Sequence, residues 1–394
     1  MRQWRIAAAL AMLAATAWTV PARADALRID WLERQVVRPP VLSNMEKQPA
    51  TLGLDGARLS VADINTTGKF TGMTYQLVET VVPPEGDFLP AAKAAIAGGA
   101  RVLVLRAPTA DLLALADLPE AKDVLIFNTE APEGSLRGAD CRANVLHTVP
   151  SYQMRTDALA QFLLSKRWTK LVLVEGNRAG DADYAAALKA SLAKFGLKLA
   201  GEKTWGIAAD MRRVAAAEMP LFTQDLPEHD VMLVADVPGD FARYMAYNTW
   251  LPRPLAGTEG MKPLGWAPPV EHFGASQLQS RFHDLAGREM TDQDFAAWVA
   301  VAALGEAATR AKTTDAAALR GYLLSPKARI SAFLGQPLSF RDWDGQLRQP
   351  IPLVTERAVI AMPPLEGFLH QTSELDTLGT DRPESQCHAF GEAR

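Results

Sequence analysis

The chain has 394 residues, a formal net charge of −4 and 48% hydrophobic residues. This length favours two or three structural units with a sizeable apolar core. A nearly neutral charge, with no run of Lys and Arg among aromatic residues, argues against binding to nucleic acid.

The first residues have the pattern of an export signal. Arg2 and Arg5 precede an apolar stretch over 6–20, and Ala-Arg-Ala at 22–24 fits a small-x-small cleavage site. The stretch is shorter than the ~20 residues that a membrane span needs. We expect cleavage after Ala24, which leaves a mature periplasmic protein; an uncleaved membrane anchor is the alternative.

From residue 25 onward, short apolar runs alternate with amphipathic patterns. This alternation predicts parallel sheets with helices on both faces. The predicted elements of the first half are strand 27–31, helix 54–65, strand 75–82, helix 91–96, strand 101–105, helix 112–116 and strand 124–127.

The same alternation begins again after Pro150. Two α/β halves without a flexible linker between them predict two lobes that bend about a hinge. The predicted elements of the second half are helix 158–163, strand 171–174, helix 184–195, strand 198–205, helix 211–222, strand 231–235, helix 241–250 and a short strand near 255.

The last third has a different pattern. Apolar faces predict helices over 295–302 and 319–323, and a hairpin turn at 342–345 lies between apolar runs 337–340 and 351–354. A strand is expected over 358–362, followed by a polar, loosely held tail from 371.

The two cysteines, Cys141 and Cys387, are the whole cysteine content of the chain. In an exported protein such a pair is a disulfide candidate. Sequence alone does not show that their Cα atoms come within about 7 Å, so two unpaired thiols remain the alternative.

Candidate ligand-binding residues follow the predicted strands, because ligands of open parallel sheets bind beyond the carboxyl ends of the strands. Arg side chains bind carboxylates and Trp rings stack on flat groups, so the set favours an anionic, planar ligand. The candidates are Trp31, Arg34, Arg106, Thr109, Thr129, Glu130, Arg178, Asp181, Asp236, Glu259 and Trp266.

Several of these residues also allow a purely structural interpretation. Arg106 could pair with Asp111 at the strand end, and Arg178 could be a solvated loop charge. Thr129 could cap a turn, and both Trp31 and Trp266 could be core residues.

Enzymatic signatures are absent from the sequence. The six histidines form no HExxH motif, and there is no G-x-S-x-G elbow, Walker glycine loop or GxGxxG after the first strand. The acidic candidates match no metal-binding loop. We therefore expect a binding protein with no catalytic residue, no metal and no required cofactor.

Five segments taken together resemble the branched-chain amino-acid binding proteins, the type I periplasmic binding proteins of ABC importers. Their order along the chain carries the resemblance more than any single motif. The segments are TLGLDGARLSVADIN at 51–65, AAIAGGARVLVL at 94–105, DYAAAL at 183–188, AGTEG at 256–260 and FRDWDG at 340–345.

This resemblance implies two Rossmann-like α/β lobes with parallel sheets, joined by three hinge crossings near 147–151, 266–275 and 343–346. The implied division is a signal peptide (1–24), a first lobe (25–148 and 270–343), a second lobe (149–269 and 344–370) and a polar tail (371–394).

The resemblance also implies a ligand site in the cleft. Thr129 and Glu259 match the Thr and the ammonium-binding acid of the family. The family's small hydroxyl residues are replaced by Arg106–Thr109 here, which favours a ligand with additional carboxylates over a simple amino acid.

The chain is also similar to a narrower branch, the binding subunits associated with pyrroloquinoline quinone (PQQ)-dependent alcohol dehydrogenase systems. By this resemblance the ligand is PQQ, with Arg34, Arg106 and Arg178 on its carboxylates and Trp31 or Trp266 on its ring. The expected partner is an ABC permease and the expected state a monomer. A carrier for the dehydrogenase, or a receptor for amino or organic acids, is the alternative.

Overall fold

The structure is a computed structural model that describes residues 25–37, 48–206 and 211–391. The export signal predicted for 1–24 therefore lies outside the described residues. Within these ranges no helix is both long and apolar enough to cross a bilayer.

Helices and strands alternate through most of the chain, as the sequence predicts. The helices are α1 (Leu54–Thr71), α2 (Phe88–Ala97), α3 (Thr109–Ala116), α4 (Tyr152–Ser165), α5 (Asp181–Lys194), α6 (Met211–Thr223), α7 (Ala275–Ala286), α8 (Asp292–Ala311) and α9 (Ala316–Leu323). The strands are β1 (Asp25–Arg34), β2 (Met73–Val82), β3 (Val102–Arg106), β4 (Leu125–Asn128), β5 (Val145–His147), β6 (Lys170–Glu175), β7 (Lys198–Thr204), β8 (Val231–Ala235), β9 (Leu255–Gly257), β10 (Lys262–Pro263), β11 (Ser339–Phe340), β12 (Leu347–Arg348), β13 (Leu353–Val354) and β14 (Val359–Ala361).

The first lobe is built on a parallel sheet of order β2-β1-β3-β4-β5. Strands β3 and β4 are buried along their whole length, because helices cover both faces of the sheet. One face packs against α1, α7, α8 and α9, and the other against α2 and α3.

Helix α1 continues to Thr71, past the predicted end at Asn65. The Asn65 side chain exchanges two hydrogen bonds of 2.9 Å with the backbone of Tyr75 in β2, which holds the helix along the strand. Gly68 permits this approach, since an added β-carbon would lie 2.4 Å from the carbonyl oxygen of Met73.

The second lobe has a parallel sheet of order β7-β6-β8-β9. Helices α4 and α5 pack on one face of this sheet, and α6 packs on the other. The sequence-based prediction of this α/β architecture is confirmed.

The prediction of a helix over 241–250 is wrong. The chain forms a short 3-10 turn at Ala242–Tyr244 instead. Phe241, Ala242 and Met245 are buried at helical spacing, which explains the prediction. The backbone of Tyr247 then takes a left-handed conformation (φ 68°), and this ends any helical path.

Three short segments connect the lobes, at 148–151, 264–267 and 349–352. They contact one another, for example through a 3.0 Å hydrogen bond from Leu264 N to Pro352 O. The expected third crossing, at 343–346, is the turn of the β11–β12 hairpin. Phe340 and Leu347 of this hairpin belong to the first lobe's core, so the chain leaves that lobe later than expected.

The last part of the chain is packed rather than loosely held. Leu375, Asp376 and Leu378 are buried, and Leu378 contacts Met154 of α4. Cys141 and Cys387 form a disulfide with their Cα atoms 5.6 Å apart.

Candidate functional site

Loops that follow strands of both sheets meet at Tyr152, the first residue of α4. Its backbone N–H donates to the carbonyl of Pro132, after β4, over 2.9 Å. On its other side is Gly180, between β6 and α5, where an added β-carbon would lie 3.5 Å from Tyr152 Oη. The Tyr152 ring packs edge-on against Tyr184 of α5. Tyr152 therefore marks the junction of the two lobes, which we call the interlobe cleft.

Ser151 fixes the position of Tyr152 in this cleft. Its side chain accepts a 3.1 Å hydrogen bond from Met154 N and so caps α4 directly after the first connecting segment. A cap of this kind satisfies a backbone donor that the helix itself cannot pair. The start of α4 is thereby held at the hinge.

Burial and several charged groups set the electrostatics around Tyr152. Burial raises the pKa of Tyr152 to about 12, and the nearby carboxylate of Glu133 contributes to the increase. Asp181 and Asp183 act in the same direction, whereas Arg155 opposes them. Glu133 is oriented by Thr109, whose hydroxyl donates to it over 2.7 Å. Three carboxylates and one guanidinium thus act on Tyr152, so the formal charge near its ring is net negative.

A cavity of about 300 Å³ lies beside the second connecting segment. Arg155 of the second lobe and Asp292 of the first form an ion pair of 2.6 Å in its wall. Asp292 also accepts from Gly265 N over 2.8 Å, so one carboxylate links α4, α8 and the connecting segment. The cavity is lined by Arg155, Leu264, Trp266, Pro268, Glu289, Met290, Thr291, Asp292 and Gln293.

The predicted anion-binding role of Arg106 is not supported by its surroundings. Its guanidinium lies between two carboxylates, with 2.7 Å to Glu33 and 2.6 Å to Glu130. The β1–β3 register places Glu33 directly opposite Arg106. Burial raises the pKa of Glu33, and the charge of Arg106 works against that increase. Arg106 thus compensates the buried Glu33 and the partly buried Glu130 of its own lobe; it does not pair with Asp111.

Arg34 and Thr129 are also engaged within the first lobe. Arg34 donates to the carbonyls of Pro84 and Gly86 in the loop after β2, and lies 3.8 Å from Asp111. Thr129 is buried, and its hydroxyl donates to a β3 carbonyl over 3.0 Å. Neither side chain is directed to a ligand by these contacts.

Two predicted acids of the second lobe hold loops in place. Asp181 accepts hydrogen bonds from the backbone of Arg178 and Val237, and so joins the loops after β6 and β8. Asp236 accepts three backbone N–H groups, at 240–242, and caps the short 3-10 turn. Their carboxylates are buried because they satisfy backbone donors.

Arg178 and Glu259 remain at the accessible edge of the second sheet. The Arg178 side chain is 67% exposed and pairs with Asp240 over 2.8 Å. Glu259 accepts from Gly260 N and pairs with Lys262 over 3.1 Å. Both retain enough exposure to meet a solute, but each already has a partner of opposite charge.

The two predicted stacking residues are core residues. Trp31 is fully buried and donates to Glu33 over 3.2 Å. Trp266 is also fully buried, stacks on Phe295 with ring centroids 4.7 Å apart, and donates to Gln279 over 3.2 Å. Trp266 stands in the wall of the cavity, yet neither ring offers an open face to a planar ligand.

Sequence reasoning missed Glu133, Tyr152 and Arg155. Glu133 follows the predicted Glu130 within the same loop, so a longer window after the strand would have included it. Tyr152 and Arg155 lie at the start of a helix, where the Pro150-Ser151 cap signal was the available cue. Among the described residues, no group of three or more His, Cys, Asp or Glu side chains is arranged to hold a metal ion.

Comparison with known proteins agrees with this architecture. Residues 47–217 match the family model described as periplasmic binding protein. The chain has the type I periplasmic binding protein fold. No curated protein matches the sequence.

Solved structures of this fold cover almost the whole chain at low sequence identity. A branched-chain amino-acid ABC transporter periplasmic ligand-binding protein from Burkholderia xenovorans has a TM-score of 0.70 and 14% identity, covering 92% of this chain and 100% of its own. A periplasmic binding protein from Burkholderia mallei gives 0.64 and 16%, covering 93% and 99%. A solute-binding protein of an ABC transporter from R. palustris, in complex with benzoate, gives 0.62 and 14%, covering 92% and 99%.

Proposed function

We propose that the chain is the periplasmic solute-binding subunit of an ABC importer, and that it holds one small molecule between its lobes. The contact that carries this proposal is the junction at Tyr152, which the loop after β4 and the loop after β6 both approach. Ligand contacts from both lobes would stabilise the closed form over the open form.

The charge distribution favours a ligand with a cationic group, such as a free amino acid. Glu133 and Asp183 add negative charge near Tyr152. Arg106 and Arg178, by contrast, are paired with carboxylates of this chain. An amine would gain a charge-assisted hydrogen bond here, whereas a tricarboxylate such as PQQ would have to displace existing partners. PQQ and delivery to a PQQ-dependent dehydrogenase remain hypotheses from the sequence.

A thermal-shift screen of the purified mature protein tests the proposal. The panel contains branched-chain and polar amino acids, benzoate and PQQ, each at a concentration far above its expected Kd. A ligand at 100 times its Kd stabilises the folded state by about 2.7 kcal/mol. We expect amino acids to raise the melting temperature by a few degrees and PQQ to leave it unchanged.

Glu133→Gln is the diagnostic variant for this screen, because it removes a charge while keeping the shape of the side chain. It should weaken binding of an amine-bearing ligand by roughly tenfold or more, the scale of a charge-assisted hydrogen bond. The exposed Glu271 supplies the matched control, Glu271→Gln. A PQQ-induced shift that survives Glu133→Gln and disappears in Arg178→Gln would instead favour the anionic ligand.

A further inference from the structure

Residues 374–387, near the end of the described chain, contact both lobes, and we call them the C-terminal strap. On the second lobe, Lys194 of α5 donates to the carbonyls of Thr377 and Gly379 over 3.0 and 2.9 Å. Asp157 of α4 accepts from Gly379 N over 2.8 Å, and Gln161 donates to the Thr377 hydroxyl. The strap therefore has several hydrogen-bonded anchors on this lobe.

The strap is anchored on the first lobe as well. The Asp376 carboxylate accepts from Arg341 Nε over 2.9 Å and from Arg348 Nε over 2.8 Å, and both arginines belong to the hairpin region of that lobe. Further along, Cys387 is bonded to Cys141, which lies between β4 and β5. One end of the strap is thus covalently attached to the first lobe.

We propose that the strap is a fourth connection between the lobes and limits how far they open. Opening about the three connecting segments would move the Asp157 anchor relative to Cys141, and the strap spans these two points. Asp157 and Asp376 are almost fully buried, so releasing them would expose paired charges and leave their partners unsatisfied. The strap thereby favours a narrow range of lobe positions.

The disulfide makes the attachment of the strap to the first lobe permanent. Hydrogen-bonded anchors can be released one at a time, whereas the bond between Cys141 and Cys387 keeps the strap end on the first lobe during any such opening. Both cysteines are buried. The inference goes beyond the proposed function, because lobe opening can be measured without any ligand.

Small-angle scattering and hydrogen exchange on the ligand-free mature protein test the proposal. Two variants release the strap at different ends: Cys141→Ser/Cys387→Ser on the first lobe and Lys194→Met on the second. We expect each to increase the radius of gyration by roughly 0.5–1 Å, from about 21 Å for a compact chain of this length. Amide exchange of the connecting segment 264–267 should become about tenfold faster.

Leu188→Ala is the matched control, since Leu188 is buried in the second lobe's core and has no polar side-chain atom to bond the strap. It should lower the melting temperature without changing the radius of gyration. Equal scattering and exchange in wild type and both strap variants would overturn the proposal, as would an equal opening in Leu188→Ala. If the cysteine variant fails to fold, the scattering and exchange of Lys194→Met, which keeps the disulfide, test the proposal alone.

Discussion

Replacing Arg106 by Met should destabilise the fold, and the loss should grow with pH. Glu33 is 1% exposed and lies 2.7 Å from Arg106. Removing one partner of a buried ion pair costs about 3–5 kcal/mol, because the remaining charge stays buried without compensation. Glu130, 2.6 Å from the same guanidinium, would lose this ion pair too.

The pH dependence follows from the pKa of Glu33. Burial already raises this pKa, and the charge of Arg106 opposes the increase, so the variant should have a still higher pKa. At low pH the carboxyl is protonated in the folded and the unfolded chain, and the difference between variant and wild type is small. As the pH rises, ionisation favours the unfolded variant, by up to about 1.4 kcal/mol per pH unit.

Urea denaturation at pH 5 to 8 measures this difference. The control is Glu33→Gln/Arg106→Met, which removes both charges and should recover most of the stability with little pH dependence. A loss below about 1 kcal/mol at every pH would refute the structural role of Arg106. Normal stability with weaker binding of an anionic solute would restore its predicted ligand role.

Four further variants test other parts of the structure, each by urea denaturation. Asp236→Ala should lower the free energy of unfolding by about 2–4 kcal/mol, because three backbone donors lose their acceptor. A loss of stability no larger than that of an exposed Asp→Ala change would contradict the capping role. Gly257→Ala should lower the free energy of unfolding by roughly 3 kcal/mol, and Gly72→Ala should lower it by about 1 kcal/mol. Both glycines have positive φ, but only the β-carbon added at Gly257 would clash, because it would lie 2.4 Å from a carbonyl oxygen. Equal losses would refute that steric argument. Cys141→Ser/Cys387→Ser should lower stability by about 2–5 kcal/mol, and an unchanged urea midpoint would show that the disulfide does not contribute.

The sequence predicted the fold well because the signals involved are local and repeated. Apolar runs of strand length alternate with amphipathic helices, and both sheets follow that order. The prediction of a helix over 241–250 failed for a local reason as well. Buried Phe241 and Met245 have helical spacing, but the Asp236 carboxylate accepts hydrogen bonds from the backbone and stabilises a 3-10 turn instead. Periodicity does not reveal such a competing hydrogen-bond acceptor.

The candidate site was harder to predict because side-chain partners depend on strand register. Arg106 is the last residue of β3, one position earlier in the fold than expected, but its partner Glu33 belongs to β1 and is set opposite it only by sheet pairing. Trp31 likewise lies near a strand end, but its ring points into the core. Position at the carboxyl edge of a sheet is therefore readable from sequence, whereas the direction of each side chain is not.

Isothermal titration of the solute identified in the screen tests the central claim most directly, when wild type is compared with Glu133→Gln on the first lobe and Asp183→Asn on the second. We predict one solute per chain and at least tenfold weaker binding in each variant, because both lobes hold the same molecule. A solute bound with unchanged affinity by both variants would contradict an interlobe site at Tyr152.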